Sequence, residues 1–397
     1  MEPTRNRSLP PELQVMRFQL RMMELTGLVG PQGRFHRFLL AFGWGTFIII
    51  FPKIVLGMGS NEFDVIIKGL SELLFQVNLY ASAALLVLKL PSFKRMVQLL
   101  SEIIQQVTDD DESKDCYDQI REQNSKLNKF SKFYFTYCCF GPFIYCIPAL
   151  GTSYVRYFGT TVGNGSKLLQ FELAMEQEFY GLKIRTNFVH YHLFMVLSLT
   201  AYCICSYLSV IKVTSLLSAI RYNSLTYRLV AIRVRRLQHG GQEVTISSID
   251  EIVKLHRKAF ELTGLVEEIV NVPLAMQFMT CILVWCLVMF YVSTNVNLNL
   301  FNVMVPFGLS MIETYGYAYL GSELTAEAQA VGQAIYELSW YEASAAFQRY
   351  YRLIIQRAQC ATGITAVKFF LVGIDKFGRV IQMSYSYYLV LRDVFSK

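Results

Sequence analysis

Charge is what this chain has little of. Asp, Glu, Lys and Arg supply only 17% of its 397 residues, where soluble globular domains carry about 25%. Beside 53% hydrophobic residues and a mean hydropathy of +0.33, that shortage excludes an ordinary soluble enzyme. The net charge of +7 is too small and too scattered for the basic face that nucleic acid requires, so no nucleic-acid partner is expected. The usual carriers of catalysis are missing as well. No nucleophile elbow, P-loop, Cys-x-x-Cys pair or zinc-binding His pair on a helix occurs anywhere in the sequence. His190 and His192 stand two apart, a spacing that puts them on different faces of a helix. No catalytic residue, metal or cofactor is expected.

Two further absences set the compartment. The first 30 residues mix Arg5, Arg7, Glu12, Arg17 and Arg21 without an apolar core, so no cleavable leader is expected. Of the nine cysteines, Cys138, Cys139, Cys146, Cys203, Cys205, Cys281 and Cys286 fall inside long apolar runs, and Cys116 and Cys360 fall in long polar segments between runs. None sits where an extracellular disulfide framework would need it.

What the chain does have is apolar length. Runs over 38–58, 69–88, 133–154, 188–211, 273–293 and 301–322 are each long enough to cross a bilayer, and a split pair, 361–374 and 377–392, flanks Asp375-Lys376. The expected fold class is an all-α membrane protein with seven transmembrane helices. Glu72, Gln76 and Asn78 interrupt the second run, so that helix is expected to face its neighbours. The last run carries Arg379, Gln382, Ser384 and Ser386, polar groups that need protein or water at bilayer depth.

Lys and Arg fix an expected orientation. Summed over alternate connections, 26 lie on the side of the N-terminus and 8 on the other, with Lys368, Lys376 and Arg379 left in the final pair. The positive-inside rule then puts the N-terminus in the cytosol and, after seven crossings, the C-terminus outside. A G-protein-coupled receptor has the reverse orientation and usually an Asp-Arg-Tyr after its third span, which is missing here. Of the two sequons, Asn164-Gly-Ser lies in the proposed outer loop and Asn6-Arg-Ser in the proposed cytosolic tail, so only Asn164 should be glycosylated.

Two stretches read as helices that leave the membrane. In 247–270, Ser248-Ile-Asp-Glu251 has the form of a capping box, followed by Ile249, Ile252, Val253, His256, Ala259 and Phe260 at helical spacing. Residues 212–236 extend the fourth span in the same way. Aromatics, 14% of the chain, cluster toward the outer halves of spans. Tyr80, Phe133, Tyr137, Phe140, Tyr145, Phe194, Tyr315 and Tyr319, with Gly141 among them, are the candidate walls of an apolar pocket for a small lipophilic ligand.

The C-terminal third adds a resemblance. Tyr319-Leu-Gly-Ser322, Tyr336-x-x-x-Trp340, His256 and the closing Phe377-Gly-Arg-Val-Ile-Gln-Met-Ser-Tyr-Ser-Tyr-Tyr-Leu-Val-Leu391 resemble the insect odorant receptors. The resemblance implies a subunit of a ligand-gated, non-selective cation channel, tetrameric and assembled with an odorant co-receptor subunit in the plasma membrane of a sensory dendrite. It implies a volatile ligand held within the bundle, and a central pore lined by the last helix. Aligned on the terminal signature, Val390 and Val394 fall at a hydrophobic constriction, Asp393 at a polar position favouring permeant cations, and Gln382 and Ser386 deeper. Related gustatory receptors share this architecture but carry a Thr-Tyr pair and a Gln-Phe where Ser384-Tyr-Ser-Tyr stands here. The co-receptor type has a longer cytosolic loop and lacks Arg392-Asp393, so a ligand-tuned subunit is the closer match. The implied organisation is 1–37 as a cytosolic segment, 38–211 as spans one to four with the pocket, 212–272 as cytosolic helical extensions, 273–322 as spans five and six, 323–376 as the cytosolic anchor with the first half of span seven, and 377–397 as the pore helix. Membrane lipids are the remaining expected contact.

Overall fold

The structure, a computed structural model, describes residues 9–30, 34–59, 63–108, 114–162, 170–239, 246–294, 300–338, 341, 345–359 and 362–395. A short helix α1 (Arg17–Thr26) precedes the first long one. The bundle itself is α2 (His36–Val55), α3 (Phe63–Leu88), α5 (Lys114–Val162), α6 (Phe188–His239), α7 (Ile246–Thr294), α8 (Leu300–Glu337) and, at the end, α10 (Ile374–Phe395). Between them lie α4 (Leu90–Thr108) and α9 (Ala345–Ala358). Among the described residues, five helices are long and apolar enough to cross a membrane by length and composition alone, namely α2, α3, α5, α6 and α7.

The burial pattern explains the order of packing. On α7, Ile249, Ile252, Leu255, Ala259, Leu262, Val266 and Ile269 are buried, a three-four spacing that makes one continuous stripe. On α6 from Leu208 to Val234 nearly every residue is buried, which marks a helix covered on all sides. It is the axis of the molecule. Both helices run unbroken from the apolar spans into the polar segments, as the periodicity of 212–236 and 247–270 predicts. The helix α7 begins at Ile246, two residues ahead of the expected cap at Ser248. Lys212, counted with the long cytosolic segment, is buried in the bundle beside Glu313, 2.5 Å away.

One expectation is corrected. Residues 361–374 do not form half of a span. They hold a small antiparallel hairpin, β1 (Thr365–Ala366) with β2 (Phe370–Leu371), registered Thr365 to Leu371 and Ala366 to Phe370. Three residues, 367–369, connect the strands, with Val367 and Lys368 at φ 49° and 61° and the Phe369 N–H donating to the Ala366 carbonyl at 3.0 Å, a tight turn with two left-handed residues. The Thr365 hydroxyl donates to Glu267 Oε1 at 2.6 Å, and Phe370 meets Phe278 edge-on at 5.6 Å. The apolar run is thus a packing segment against α7.

The hairpin also seats the last helix. Gly321 of α8 lies so close to it that a Cβ would overlap the carbonyl of Val372, and the next residue, Ser322, accepts a hydrogen bond from the Ile374 N–H at 2.9 Å. That hydroxyl caps the first turn of α10, where an unpaired N–H would otherwise stand. The family-like Gly321-Ser322 pair therefore has a mechanical role. Trp340, Asn6, Asn164, the acidic run 109–112 and Gly240-Gly241 lie outside the described residues.

Candidate functional site

The outer part of the bundle does not close between α3, α5, α6 and α8. On α3 the open face is Glu72, Phe75, Gln76 and Leu79, and on α6 it is Tyr202, Cys205, Ser206 and Ser209. Both sets fall at i, i+3, i+4 and i+7, so each is a single helix face. Gly141, Pro142 and Tyr145 of α5 and Pro306 and Leu309 of α8 complete the wall. The glycine brings no side chain, and each proline removes a backbone donor from its helix, so these are positions where close packing is weakest. The space between these walls, about 620 Å³ with its mouth, opens on one side.

Charges line this space but are already matched. The Lys53 ammonium donates to Glu72 Oε2 at 2.5 Å, and the Tyr145 hydroxyl donates to Glu72 Oε1 at 2.6 Å. At the inner end, the Ser209 and Tyr134 hydroxyls are 3.2 Å apart. One turn further in, Glu313 takes Lys212 and the Tyr317 hydroxyl. Beside these runs a chain of Asn78, Gln277 and Thr314, whose amide groups donate at 2.6 and 3.1 Å. Polar groups inside a membrane bundle are costly unless paired, and each of these residues has a partner, although Asn78 Oδ1 is left without one.

The segment from 170 to 187 folds back over the outer end. Gln177 is buried and donates to the Ile48 carbonyl at 3.1 Å, and the Tyr180 hydroxyl donates to the Phe47 carbonyl at 2.7 Å. Both carbonyls belong to the π-helical turn Thr46–Ile50 of α2, a single-turn interruption of the α-helical ladder. Glu176 bonds Lys68 at 3.2 Å and Arg185 at 2.8 Å. Burial alone would raise its carboxyl, but the two cations win and hold it below the usual carboxylate range. Met175 reaches the cavity wall, its Sδ 3.5 Å from the Gln76 amide nitrogen.

The expected pocket residues divide. Gly141 and Tyr145 line the cavity. Tyr80 stands directly behind it, its hydroxyl 3.1 Å from Cys205 Sγ and its ring 5.1 Å from Phe42. Tyr137 is half-buried one turn before Gly141, its hydroxyl against Gly308. Phe194 is fully buried but packs edge-on against Phe179 at 5.1 Å, in the core under the outer loop. Phe133, Phe140, Tyr315 and Tyr319 are exposed on the outside of the bundle, because they occupy the opposite faces of α5 and α8. Sequence reasoning missed Phe75, Leu79, Tyr202, Cys205, Ser206, Ser209, Pro306 and Leu309. Glu72 and Gln76 stand out in the sequence as polar groups in a span, which is the available signal.

The terminal helix has two faces. Val380 and Ser384 are buried, and Phe377, Tyr388 and Leu391 pack against the core. Phe377 meets Trp285 at 5.9 Å and Tyr315 at 5.5 Å, and Phe395 meets Phe63 at 4.4 Å. Gln382, Ser386, Val390, Asp393 and Val394 are exposed in the single chain. Four-residue steps keep 382, 386, 390 and 394 on one face, so the five expected pore residues form one stripe.

Where α7 extends beyond the apolar run, His256 packs between the rings of Tyr227 and Phe260, at 6.1 and 4.5 Å, and Arg357 stacks on Phe260 at 4.2 Å. Burial, helped by the Arg357 charge, pushes the imidazole down to about 4. Among the described residues all eight cysteines are free, and no group of His, Cys, Asp or Glu has the arrangement of a metal site.

The family profile described as 7tm odorant receptor matches residues 62–385. The chain is 25% identical over 153 residues to the odorant receptor coreceptor of Drosophila melanogaster, covering 38% of this chain and 32% of that protein. With odorant receptor 67c of the same fly it shares 25% over 145 residues, 36% of each chain. These alignments span less than half the length of the curated relatives. The solved olfactory receptor OR5 of Machilis hrabei, in complex with eugenol, superposes with a TM-score of 0.76 at 13% identity, over 97% of this chain and 100% of that one. A second structure of that receptor gives 0.70 at 14% identity, over 91% and 90%. At such identity the likeness is one of fold, an all-α bundle of seven transmembrane helices.

Proposed function

The chain belongs to the seven-transmembrane odorant receptor family, and from that premise we propose that it is a ligand-tuned subunit of an odorant-gated, non-selective cation channel. It is a multi-pass membrane receptor and not an enzyme. The observation that carries the proposal is the separation of two features in one chain. An apolar cavity with matched charges lies between α3, α5, α6 and α8, while a stripe on α10 is exposed, with Ser386 and Asp393 bonded only within their own helix among the described contacts.

The cavity suits an uncharged volatile. Its free carboxylate oxygens are spoken for, and its walls are mostly carbon. The stripe suits a pore: Val390 and Val394 form the constriction, Asp393 favours cations, and Gln382 and Ser386 lie toward the interior. Four such helices around an axis, this chain with an odorant co-receptor subunit, would cover the exposed stripe. In this reading the N-terminus is cytosolic, the C-terminus faces outward, and Asn164 carries the glycan. The inner ends of α6 to α8 and α9 form the anchor between subunits, lipid surrounds the outward aromatics, and the assembly sits in the plasma membrane of a sensory dendrite.

Gating is a population shift. A volatile in the cavity moves the equilibrium only by its preference for the open state. At about 0.3 to 1.5 kcal/mol per ligand atom, micromolar affinity is the natural scale. The test is whole-cell current on a panel of volatiles, with and without a co-receptor subunit. Rapid inward current in co-expressing cells alone is the expected result. Silence in both, from protein proved to be at the surface, would overturn the channel reading.

A further inference from the structure

Two polar atoms in the cavity wall are left over by the protein. Gln76 and Tyr202 both line the space, and both are more than nine-tenths buried. Among the described residues neither Gln76 Oε1 nor the Tyr202 hydroxyl has a partner at hydrogen-bonding geometry; Tyr145 stands edge-on beside Tyr202 at 4.9 Å, but gives its hydroxyl hydrogen to Glu72. Their neighbours do not share this condition. The carboxylate of Glu72 takes Lys53 and Tyr145, Ser209 takes Tyr134, and Cys205 takes Tyr80. Other buried side chains, Asn78 and Gln177 among them, also carry an unmatched atom, but among the described residues only Gln76 and Tyr202 do so in the cavity wall, where a ligand could offset the cost.

The orientation of the Gln76 amide follows from its other contact. Its Nε2 lies 3.5 Å from Met175 Sδ, and a thioether has no hydrogen to give, so only the NH2 end can pair there. The oxygen is therefore the free end, and it can only accept. The Tyr202 hydroxyl can donate or accept. One chemical group satisfies both at once: a hydroxyl, which donates its hydrogen to Gln76 and accepts the phenolic hydrogen of Tyr202. An ether or ester oxygen would serve Tyr202 alone, and a hydrocarbon neither. An ammonium would meet a carboxylate already neutralised by Lys53.

We propose that the cavity selects small, uncharged alcohols or phenols, with Gln76 and Tyr202 reading the ligand hydroxyl. This rests on the reading of the cavity as the odorant site. Leaving a built hydrogen-bonding site unpaired is what rejects a near-isosteric analogue, so a ligand without its hydroxyl should act at least about tenfold more weakly.

The experiment uses the full chain co-expressed with a co-receptor subunit. Small alcohols and phenols are applied beside their methyl ethers and parent hydrocarbons, and dose–response curves are recorded. The isosteric variants Gln76→Met and Tyr202→Phe, each checked for surface expression, are run on the same panel. Hydroxyl compounds should open the channel at about tenfold lower concentrations or better, and either variant should narrow that gap by about as much for the hydroxyl series alone. Equal potency of ethers and alcohols, or a preference that survives both variants, would overturn the hydroxyl inference and leave the receptor reading intact. Silence across the whole panel from protein at the surface would overturn both.

Discussion

The outer and inner halves of the same long helices are built on different terms. Outside, α5, α6 and α8 part around Gly141, Pro142 and Pro306, and buried charges stand in matched pairs along an open space. Inside, α6 and α7 pack against each other, and Leu216, Ala219, Val230, Ala259, Leu262 and Val266 on them are each almost wholly buried. The Tyr227 hydroxyl bonds Thr263 at 2.8 Å there, and Arg228 reaches Glu323 and Glu327. One half keeps room for a guest, and the other holds the shape. A receptor needs both, since a ligand can shift only a structure that has somewhere else to go.

The contrast can be broken most severely at its charged outer wall. Glu72→Leu leaves Lys53 buried without a partner and should cost about 3–5 kcal/mol, seen as loss of folded protein in thermal melts and at the cell surface. The double variant Lys53→Met with Glu72→Leu should recover much of that loss. Next in size is the inner core. Leu262→Ala should cost about 2–5 kcal/mol, whereas Leu309→Ala on the cavity wall should cost less, because its neighbours already border open space. Equal losses at both sites would erase the distinction between the halves.

A pH dependence sharpens the inner half. His256 is held neutral, with its folded value about 4 against an ordinary value near 6.5. A proton is taken up when the helices come apart. Stability is therefore full above about pH 6.5 and falls as pH drops from there toward 4. His256→Phe should flatten that part of a melting-temperature profile. The smallest effect on stability belongs to the exposed stripe. Val390→Ala should change folding by under about 0.5 kcal/mol yet raise resting leak or alter permeation. An unchanged resting current and permeation would remove Val390 from the constriction.

The architecture was largely legible in the sequence. Apolar length gave the helices, and the three-four periodicity of Ile249 to Phe260 gave the inward extension of α7. The terminal signature placed Gln382, Ser386, Val390 and Val394 on one face. What failed was segment 361–374, where apolar content looked like a half-span. The structure makes it a hairpin because positive φ at Val367 and Lys368 reverses the chain, and hydropathy carries no record of backbone sign. The pocket was half legible. Composition brings aromatics into outer helix halves, but only packing decides which face each one takes. Tyr145 turned inward, while Phe133 and Phe140 turned out. The better guide was the polar exception: Glu72 and Gln76, out of place in a spanning run, mark the wall.

The central claim is that occupancy of this cavity drives the terminal helix. Ser206 lines the cavity, so Ser206→Trp would fill it without touching α10. The measurement is agonist-evoked current in that variant, beside its resting current and surface expression. The account predicts that evoked current is lost or needs far higher ligand concentrations, with surface expression kept. An unchanged dose–response curve would contradict it and move the ligand elsewhere.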